Sequence, residues 1–542
     1  MKKVHFTFEA EMANQNSPFH PIIYVRGYAM TQGDIDQTAA DPFCGYNVGS
    51  TIYRAVSDSN SAPRRFVFES PVVRLTADFQ YGTVYSDGYD IVDPDWMPNR
   101  VRGLPPRCIV IFRYYDDASQ LLGTGVVPSI ETSAKQLSEL IRKVREKLLE
   151  SGGVANINDF RCYLVAHSMG GLVCRAFLQN DPDDISDDPR RHVAKFFTYA
   201  TPHNGIDLLG LNVPRWLSKD DINNFNRERM AEYLNVKSAY AATGRVDWLP
   251  SGSINPDNVF CMVGTNRTDY EVAMGASRTF AGHGSDGLVR IENATLRSLN
   301  AKGEPGRPCA KAFTYRSHSG NFGIVNGEES YQNLTRFLFG DFRVDIWADI
   351  TNLQLPSDVV ATNKPVKALY QFELLASPRG KPWYLTRRVA EEDSVACLTH
   401  EEWLNSGGNT SVYLSTVFLA NLAKLNPNDP TLAYSVTVGI KVPDYEVDGR
   451  MWLAQHFEGG YLFRKTLILH IVPPTAVTSG WTVQYEWAAE PTMSGGTVPI
   501  PPLVPNSTSQ VTIPFSNPAK PGVSGNIRFV LSLWNIDRQQ EK

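Results

Sequence analysis

From residue 20 to residue 340, short apolar runs alternate with stretches whose apolar positions recur at helical spacing. The runs "PIIYVRG" (21–27), "RCIVIFRYY" (107–115), "FRCYLVAH" (160–167), "HVAKFFTYAT" (192–201), "NVFCMVGT" (258–265) and "CAKAFTYR" (309–316) read as strands with both faces buried. Between the second and third lies "SAKQLSELIRKVREKLLESGG", which puts Leu137, Leu140, Ile141, Val144 and Leu148 on one helical face. Ser133 can cap the start of that helix, and Gly152 with Gly153 can stop it. A second helix reads from Gly170 to about Gln179, with Leu172, Val173, Ala176 and Phe177 along one side. Strand–helix–strand alternation of this kind predicts an α/β fold on a mainly parallel sheet.

After Asp341 the period changes. The runs "VDIWADITNLQL", "ALYQFELLAS", "TSVYLSTVFLANLA", "LAYSVTVGIKV", "YLFRKTLILHIV", "GWTVQYEWAA" and "NIRFVLSLWNI" are alternating or aromatic, and Pro- and Gly-rich turns such as "EPTMSGGTVPIPPLVP" separate them. That texture predicts an all-β, sandwich-like C-terminal domain. With the change near Phe342 to Asp345, the expected domains are 1–342 and 343–542. The 542-residue length agrees with more than one domain.

Composition narrows the classes. A hydrophobic share of 42% with 20% charged residues fits a packed globular chain, and the net charge of −5 argues against a nucleic-acid partner. No apolar run is long enough for a transmembrane segment. The opening "MKKVHFTFEAEMANQN" interrupts any signal-peptide core with His5, Glu9 and Glu11. Seven scattered cysteines suggest neither a disulfide framework nor a zinc site. A cytoplasmic location is therefore expected, with export by a signal-independent route as the alternative. The acidic run "DPDDISDDPRR" (181–191) lacks the glycine and terminal glutamate of a calcium loop, and no metal or organic cofactor is expected.

Candidate chemistry centres on "FRCYLVAHSMGGLVCRAFLQN" (160–180), where a buried strand meets an amphipathic helix at Ser168. A serine on so sharp a turn exposes its Oγ above the sheet, and only small residues fit two positions before and after it; Ala166 and Gly170 meet that demand. The helix start aims free N–H groups at the serine, as an oxyanion requires. The bland alternative for Ser168 is a helix N-cap.

"AHSMGG" resembles the nucleophile elbow of α/β-hydrolase lipases and esterases. "PIIYVRGYAM" (21–30) resembles their strand and oxyanion-hole loop, with Arg26 where a histidine usually stands, and "TYATPHNGID" (198–207) resembles their Thr-Pro-His-x-Gly loop. The resemblance covers roughly residues 20–340 and implies an α/β-hydrolase fold, with the oxyanion hole formed by the N–H groups of Tyr28 and Met169. It also implies the chain order serine, acid, histidine. Among His192, His203, His283 and His318, only His318 follows the last strand of this region. "HGSDGLVRIENATL" (283–296) resembles the family's acid segment and marks Asp286, with Asp269 as competitor. The stretch from about 207 to 250 is an insertion, read either as a cap or lid over the pocket or as surface helices.

The implied activity is that of a serine carboxylic-ester hydrolase of lipase type, with the triad Ser168, His318 and Asp286. Its substrates would be lipid or other hydrophobic esters, and peripheral contact with lipid surfaces is expected. Acyl transfer, phospholipase- or inositol-deacylase-like cleavage on the same triad, and a non-catalytic lipid- or carbohydrate-binding protein are the competing functions.

Overall fold

The structure, a computed structural model, describes residues 19–27, 51–54, 64–67, 71–83, 104–112, 114, 128–182, 186–208, 211–212, 222–267, 284–319, 323–421, 431–447, 455–473, 480–488 and 495–535. Tyr28, Asp269 and His283 lie outside them.

Seven parallel strands form the first sheet: β1 (Ile22–Val25), β2 (Gly82–Thr83), β3 (Cys108–Phe112), β4 (Cys162–His167), β5 (Val193–Tyr199), β6 (Val259–Gly264) and β7 (Ala310–Thr314), in the spatial order β2-β3-β1-β4-β5-β6-β7. Each strand read from its apolar run is present. Alternate residues serve opposite faces, as the two-residue period of a strand requires. Ile23, Val25, Val110 and Leu164 pack with helices α1 (Ile130–Glu150) and α2 (Met169–Gln179). Ile22, Tyr24, Ile109 and Val165 pack with helix α3 (Glu328–Phe339). This is the α/β-hydrolase fold, with helices on both faces of a mainly parallel sheet.

The start of α1 differs from expectation. Ser129, extended at φ −65° and ψ 160°, accepts a hydrogen bond from Thr132 N, while Ser133 lies one turn inside the helix and is buried. Both serines are chemically able to cap. The earlier one wins because Ile130 and Ala134 also find core to bury against, which extends the helix backwards.

Where it is described, the 207–250 insertion carries helices Arg227–Tyr233 and Lys237–Thr243. Met230, Ala231 and Leu234 join the α1/α2 core. Gln179 at the end of α2 donates to Leu234 O at 2.6 Å. The C-terminal end of the first of these helices therefore sits at the far end of α2 from Ser168, ~15 Å along its axis, while its first residue, Arg227, donates to Asn204 O and pairs with Asp207. Trp216 and Leu217, the apolar residues best suited to a cap, lie outside the described residues.

The C-terminal part is an all-antiparallel two-sheet sandwich. One sheet orders strands Thr410–Leu419, Phe342–Gln354, Gly522–Leu533 and Thr508–Asn517; the other runs from Thr386–Arg388 through Val366–Pro378, Leu432–Val447, Gln455–Val472 and Trp481–Trp487 to Gly496–Ile500, with Ala396–Thr399 also paired to Val366–Pro378. Side chains such as Ile346, Val436, Leu467 and Ile527 fill the space between.

The sandwich and the parallel sheet share buried contacts. Phe418 and Trp534 belong to the same cluster as Phe260 and Phe337, with ring centroids 4.9–5.6 Å apart among Phe337, Phe418 and Trp534. Trp534 Nε1 donates to Phe337 O at 2.6 Å. Lys195, on β5, is buried, and its Nζ donates to Phe337 O, Leu338 O and Asn535 Oδ1 at the C-terminus of α3, while burial holds its pKa well below the usual lysine value. The outer edge of β7 is covered too: Phe313 N donates to Thr386 Oγ1, and Ser415 Oγ to Lys311 O. A sheet edge left open invites mispairing, and here side chains of the sandwich close it.

Trp534→Ala should cost ~3–5 kcal/mol of stability, the usual loss for a large buried aromatic. Chemical denaturation of the full-length protein measures it. A loss under ~1 kcal/mol would show that the shared aromatic cluster does not bind the halves together.

Candidate active site

β4 ends at His167 and α2 begins at Met169, so the whole change of direction falls on Ser168. Its backbone stands at φ 52° and ψ −127°, a region that non-glycine residues rarely occupy. Ser168 N donates to Tyr199 O on the neighbouring strand at 2.9 Å, and Gly171 N donates to Ser168 O at 3.0 Å. A Cβ on Gly170 would collide with the carbonyl oxygens of Val25 and Arg26, and one on Gly171 with Thr201. Bare glycine at both positions lets α2 pass between the end of β1 and the Thr-Pro-His-x-Gly loop.

Although Ser168 occupies the N-cap position, its side chain makes no cap hydrogen bond. The hydroxyl instead lies 2.9 Å from His318 Nε2. His318 Nδ1 lies 2.9 Å from Asp286 Oδ2. Asp286 Oδ1 accepts from Leu288 N at 3.0 Å and Val289 N at 2.8 Å, which fixes the carboxylate plane. His318 N donates to Asp286 O at 3.0 Å, so the two loops are joined through backbone as well as side chain. All three side chains are buried. Asp286 carries acceptors only, so it fixes the proton on His318 Nδ1 and leaves Nε2 free to accept from Ser168.

Met169 N–H stands at the first turn of α2 and beside the serine, while Tyr28, the other expected oxyanion donor, lies outside the described residues. The loop leading to it is held close. A Cβ on Gly27 would lie 2.8 Å from both His167 Nδ1 and Ser168 Cβ. Tyr114 Oη donates to Arg26 O at 3.1 Å.

His167 is a site residue that the sequence reading passed over. Its Nε2 lies 2.9 Å from His318 O, and since a carbonyl only accepts, Nε2 carries the proton. Burial, the facing His318 ring and Arg26 hold its pKa down to about 3. A neutral imidazole thus pins the backbone of the loop that carries His318. The only signal was its place beside the serine.

His203, His192 and Asp187 of the acidic run make local contacts away from Ser168. His203 is fully buried, with Nε2 3.2 Å from Thr198 Oγ1. Its carbonyl accepts from Arg175 Nη1, a buried guanidinium that also donates to Gln179 Oε1, Val246 O and Trp248 O. His192 Nδ1 bonds Phe160 O at 3.2 Å. Asp187 pairs with Arg145 and Arg142. Among the described residues, no group of three or more His, Cys, Asp or Glu side chains is placed to hold a metal.

Because His167 is neutral when folded and has an ordinary value of 6.5 when unfolded, the unfolded chain binds more protons below that pH. Its contribution to stability is complete above about 6.5 and falls as pH drops toward 3, by at most ~1.4 kcal/mol per pH unit. His167→Gln keeps a donor for His318 O but cannot titrate, so its stability should decline less steeply than wild type on acidification. Denaturation curves between about pH 7 and pH 5 measure the difference, and parallel slopes would contradict the assignment.

No family model matches the chain, and no curated protein matches it. Among solved structures, the product of the gene lin2722 from Listeria innocua is similar over 59% of this chain and 94% of its own, at 14% identity and a TM-score of 0.26. Phospholipase PlaB from Legionella pneumophila is similar over 78% of this chain and 85% of its own, at 12% identity and a TM-score of 0.30. The same phospholipase in complex with thio-NAD gives 77%, 84%, 13% and 0.29. Likenesses this low carry no argument about this chain's chemistry.

Proposed function

We propose that this chain is a serine carboxylic-ester hydrolase of lipase type, acting through an acyl-enzyme on lipid or other hydrophobic esters. One observation carries the reading: a serine on a strained turn gives up the cap bond open to it and points its hydroxyl at a histidine that a buried carboxylate orients.

In this mechanism Ser168 Oγ attacks the acyl carbonyl while His318 Nε2 takes its proton. The oxyanion is held by the N–H groups of Met169 and Tyr28, aided by the positive end of α2. The imidazolium, stabilised by Asp286, protonates the leaving alcohol as the carbonyl reforms. Water then gives its proton to His318 as it attacks the acyl-enzyme, and release of the acid restores Ser168. The proton taken from Ser168 leaves on the alcohol and one from water replaces it by way of His318, and this reading needs no cofactor.

The net charge of −5 disfavours polyanionic partners, and peripheral contact with lipid aggregates fits a hydrophobic ester substrate. Among the described residues no helix is long and apolar enough to cross a membrane. The six described cysteines are free thiols, which supports the proposal of a reducing, cytoplasmic setting.

Ser168→Ala and His318→Ala should each abolish hydrolysis of p-nitrophenyl esters, by a factor on the order of 10⁶ in kcat, with unfolding curves near wild type. Asp286→Asn should lose less, on the order of 10⁴, because the nucleophile survives with a misoriented base. Wild-type turnover in folded Ser168→Ala would put the nucleophile elsewhere and sink the proposal, whereas no ester turnover by the wild-type protein would favour a binding protein. A competing alcohol that diverts product into a new ester would make the enzyme an acyltransferase.

A further inference from the structure

The loop that carries Asp286 is gripped from outside the parallel sheet. β6 ends at Gly264, where a Cβ would lie 2.9 Å from Asp286 Cβ and 2.7 Å from Arg316 O. The end of this strand therefore presses directly on the acid and on the segment leading to His318. The next residue, Thr265, donates its N–H to Thr314 O at 2.9 Å, and Asn266 N donates to Arg316 O at 3.1 Å. The Thr265 hydroxyl proton is shared between Thr314 O at 3.2 Å and Glu392 Oε2 at 2.9 Å. Glu392 belongs to the β-rich half. Its chain neighbour Asp393 meets the other end of the excursion, where a Cβ on Gly284 would lie 3.5 Å from Asp393 Cβ. Two consecutive residues of one turn thus touch the chain just before and just after the 268–283 stretch, two residues short of Asp286.

That turn is held more firmly than a surface turn needs. Glu392 Oε1 accepts from Arg387 Nε at 2.7 Å. Ser394 Oγ accepts from Val389 N at 2.9 Å, and Ser394 O accepts from Arg388 Nε at 2.6 Å. Ala390 N donates at 2.8 Å to Oε1 of Glu373, a fully buried carboxylate that also accepts from Tyr461 Oη and Arg464 Nε. Gly439 makes room for it, since a Cβ there would lie 2.7 Å from Glu373 Oε2. Asp393 takes the left-handed conformation at φ 49° to close the turn. Glu373, on the face of its strand opposite to the core residues Phe372 and Leu374, thus holds the turn at Ala390, while Glu392 links it by charge-assisted hydrogen bonds to Arg387 and Thr265, beside the acid.

We infer that the Val389–Ser394 turn of the β-rich half positions the catalytic acid, with Glu392 acting through Thr265 to hold Asp286 against His318. This rests on the proposed hydrolase reading of the triad. Glu392 and Thr265 are positioning residues: neither touches the reacting atoms, and their effect passes entirely through the Asp286–His318 hydrogen bond.

The test uses the full-length protein and three substitutions: Thr265→Val, which removes the hydroxyl at nearly constant shape, Thr265→Ser, which restores it, and Asp286→Asn. Thr265→Val should lower kcat on a soluble short-chain ester on the order of 10-fold with KM little changed, and Thr265→Ser should return to within about 2-fold of wild type. In the Asp286→Asn background the same Thr265→Val change should lower kcat by less than about 2-fold, because the interaction it supports is already gone. A merely structural contact would instead give the same loss in both backgrounds, and that result, or wild-type kcat in Thr265→Val, would overturn the inference. The far-downfield proton resonance of His318 Nδ1–H gives a readout that needs no turnover. It should shift or broaden in Thr265→Val and recover in Thr265→Ser. If the wild-type protein proves inactive on esters, the hydrolase reading fails, and an unmoved resonance in Thr265→Val refutes the positioning role on its own.

Discussion

The site depends on one backbone conformation, that of Ser168. Holding a non-glycine residue at φ 52° costs ~1–3 kcal/mol, so the surrounding structure must over-determine it. Three neighbours do so: Tyr199 O takes the Ser168 N–H, the end of β1 packs against bare Gly170, and Gly27 lets the first loop lie on the serine itself. Because β1, β4 and β5 are adjacent in the sheet, the same register that builds the core also fixes this turn. The serine hydroxyl is then presented away from the helix it begins, toward whatever the later loops bring.

The later loops bring the proposed acid and base from the ends of β6 and β7. Both loops leave the same sheet edge, so Asp286 and His318 arrive together although 32 residues separate them. Hydrogen bonds in such a water-poor setting are strong when complete and costly when broken. Completeness is visible at each member: two backbone donors on Asp286, a backbone donor from His318 to the acid's carbonyl, and the His167 ring on the carbonyl of His318.

Much of this was legible in the chain because it is encoded locally. Buried parallel strands are continuous apolar runs, and the small residues around Ser168 are a steric requirement of a single turn. What could not be read is non-local or locally contradictory. Strand Gly496–Ile500 contains Pro499 and lies in a stretch that reads as turn, and strand Thr508–Asn517, with Pro514, is not among the runs that read as strands; both are edge strands, where a strand tolerates proline. Thr265 and Glu392 are 127 residues apart and carry no pattern until the fold joins them. Lys195 and Arg175 look like surface residues of a strand and a helix, yet both are buried where backbone carbonyls replace solvent. The aromatic cluster of Phe260, Phe337, Phe418 and Trp534 likewise turns a change of period near residue 342 into a shared core rather than a loose joint.

The most direct measurement is intact-protein mass spectrometry after treatment with a fluorophosphonate, followed by peptide mapping of the adduct. Only a serine activated by a neighbouring base reacts readily with this reagent. One adduct per chain, mapped to Ser168 and much slower to form in His318→Ala, is the expected result. An unlabelled protein, or an adduct at another serine, would contradict the assignment of Ser168 as the nucleophile.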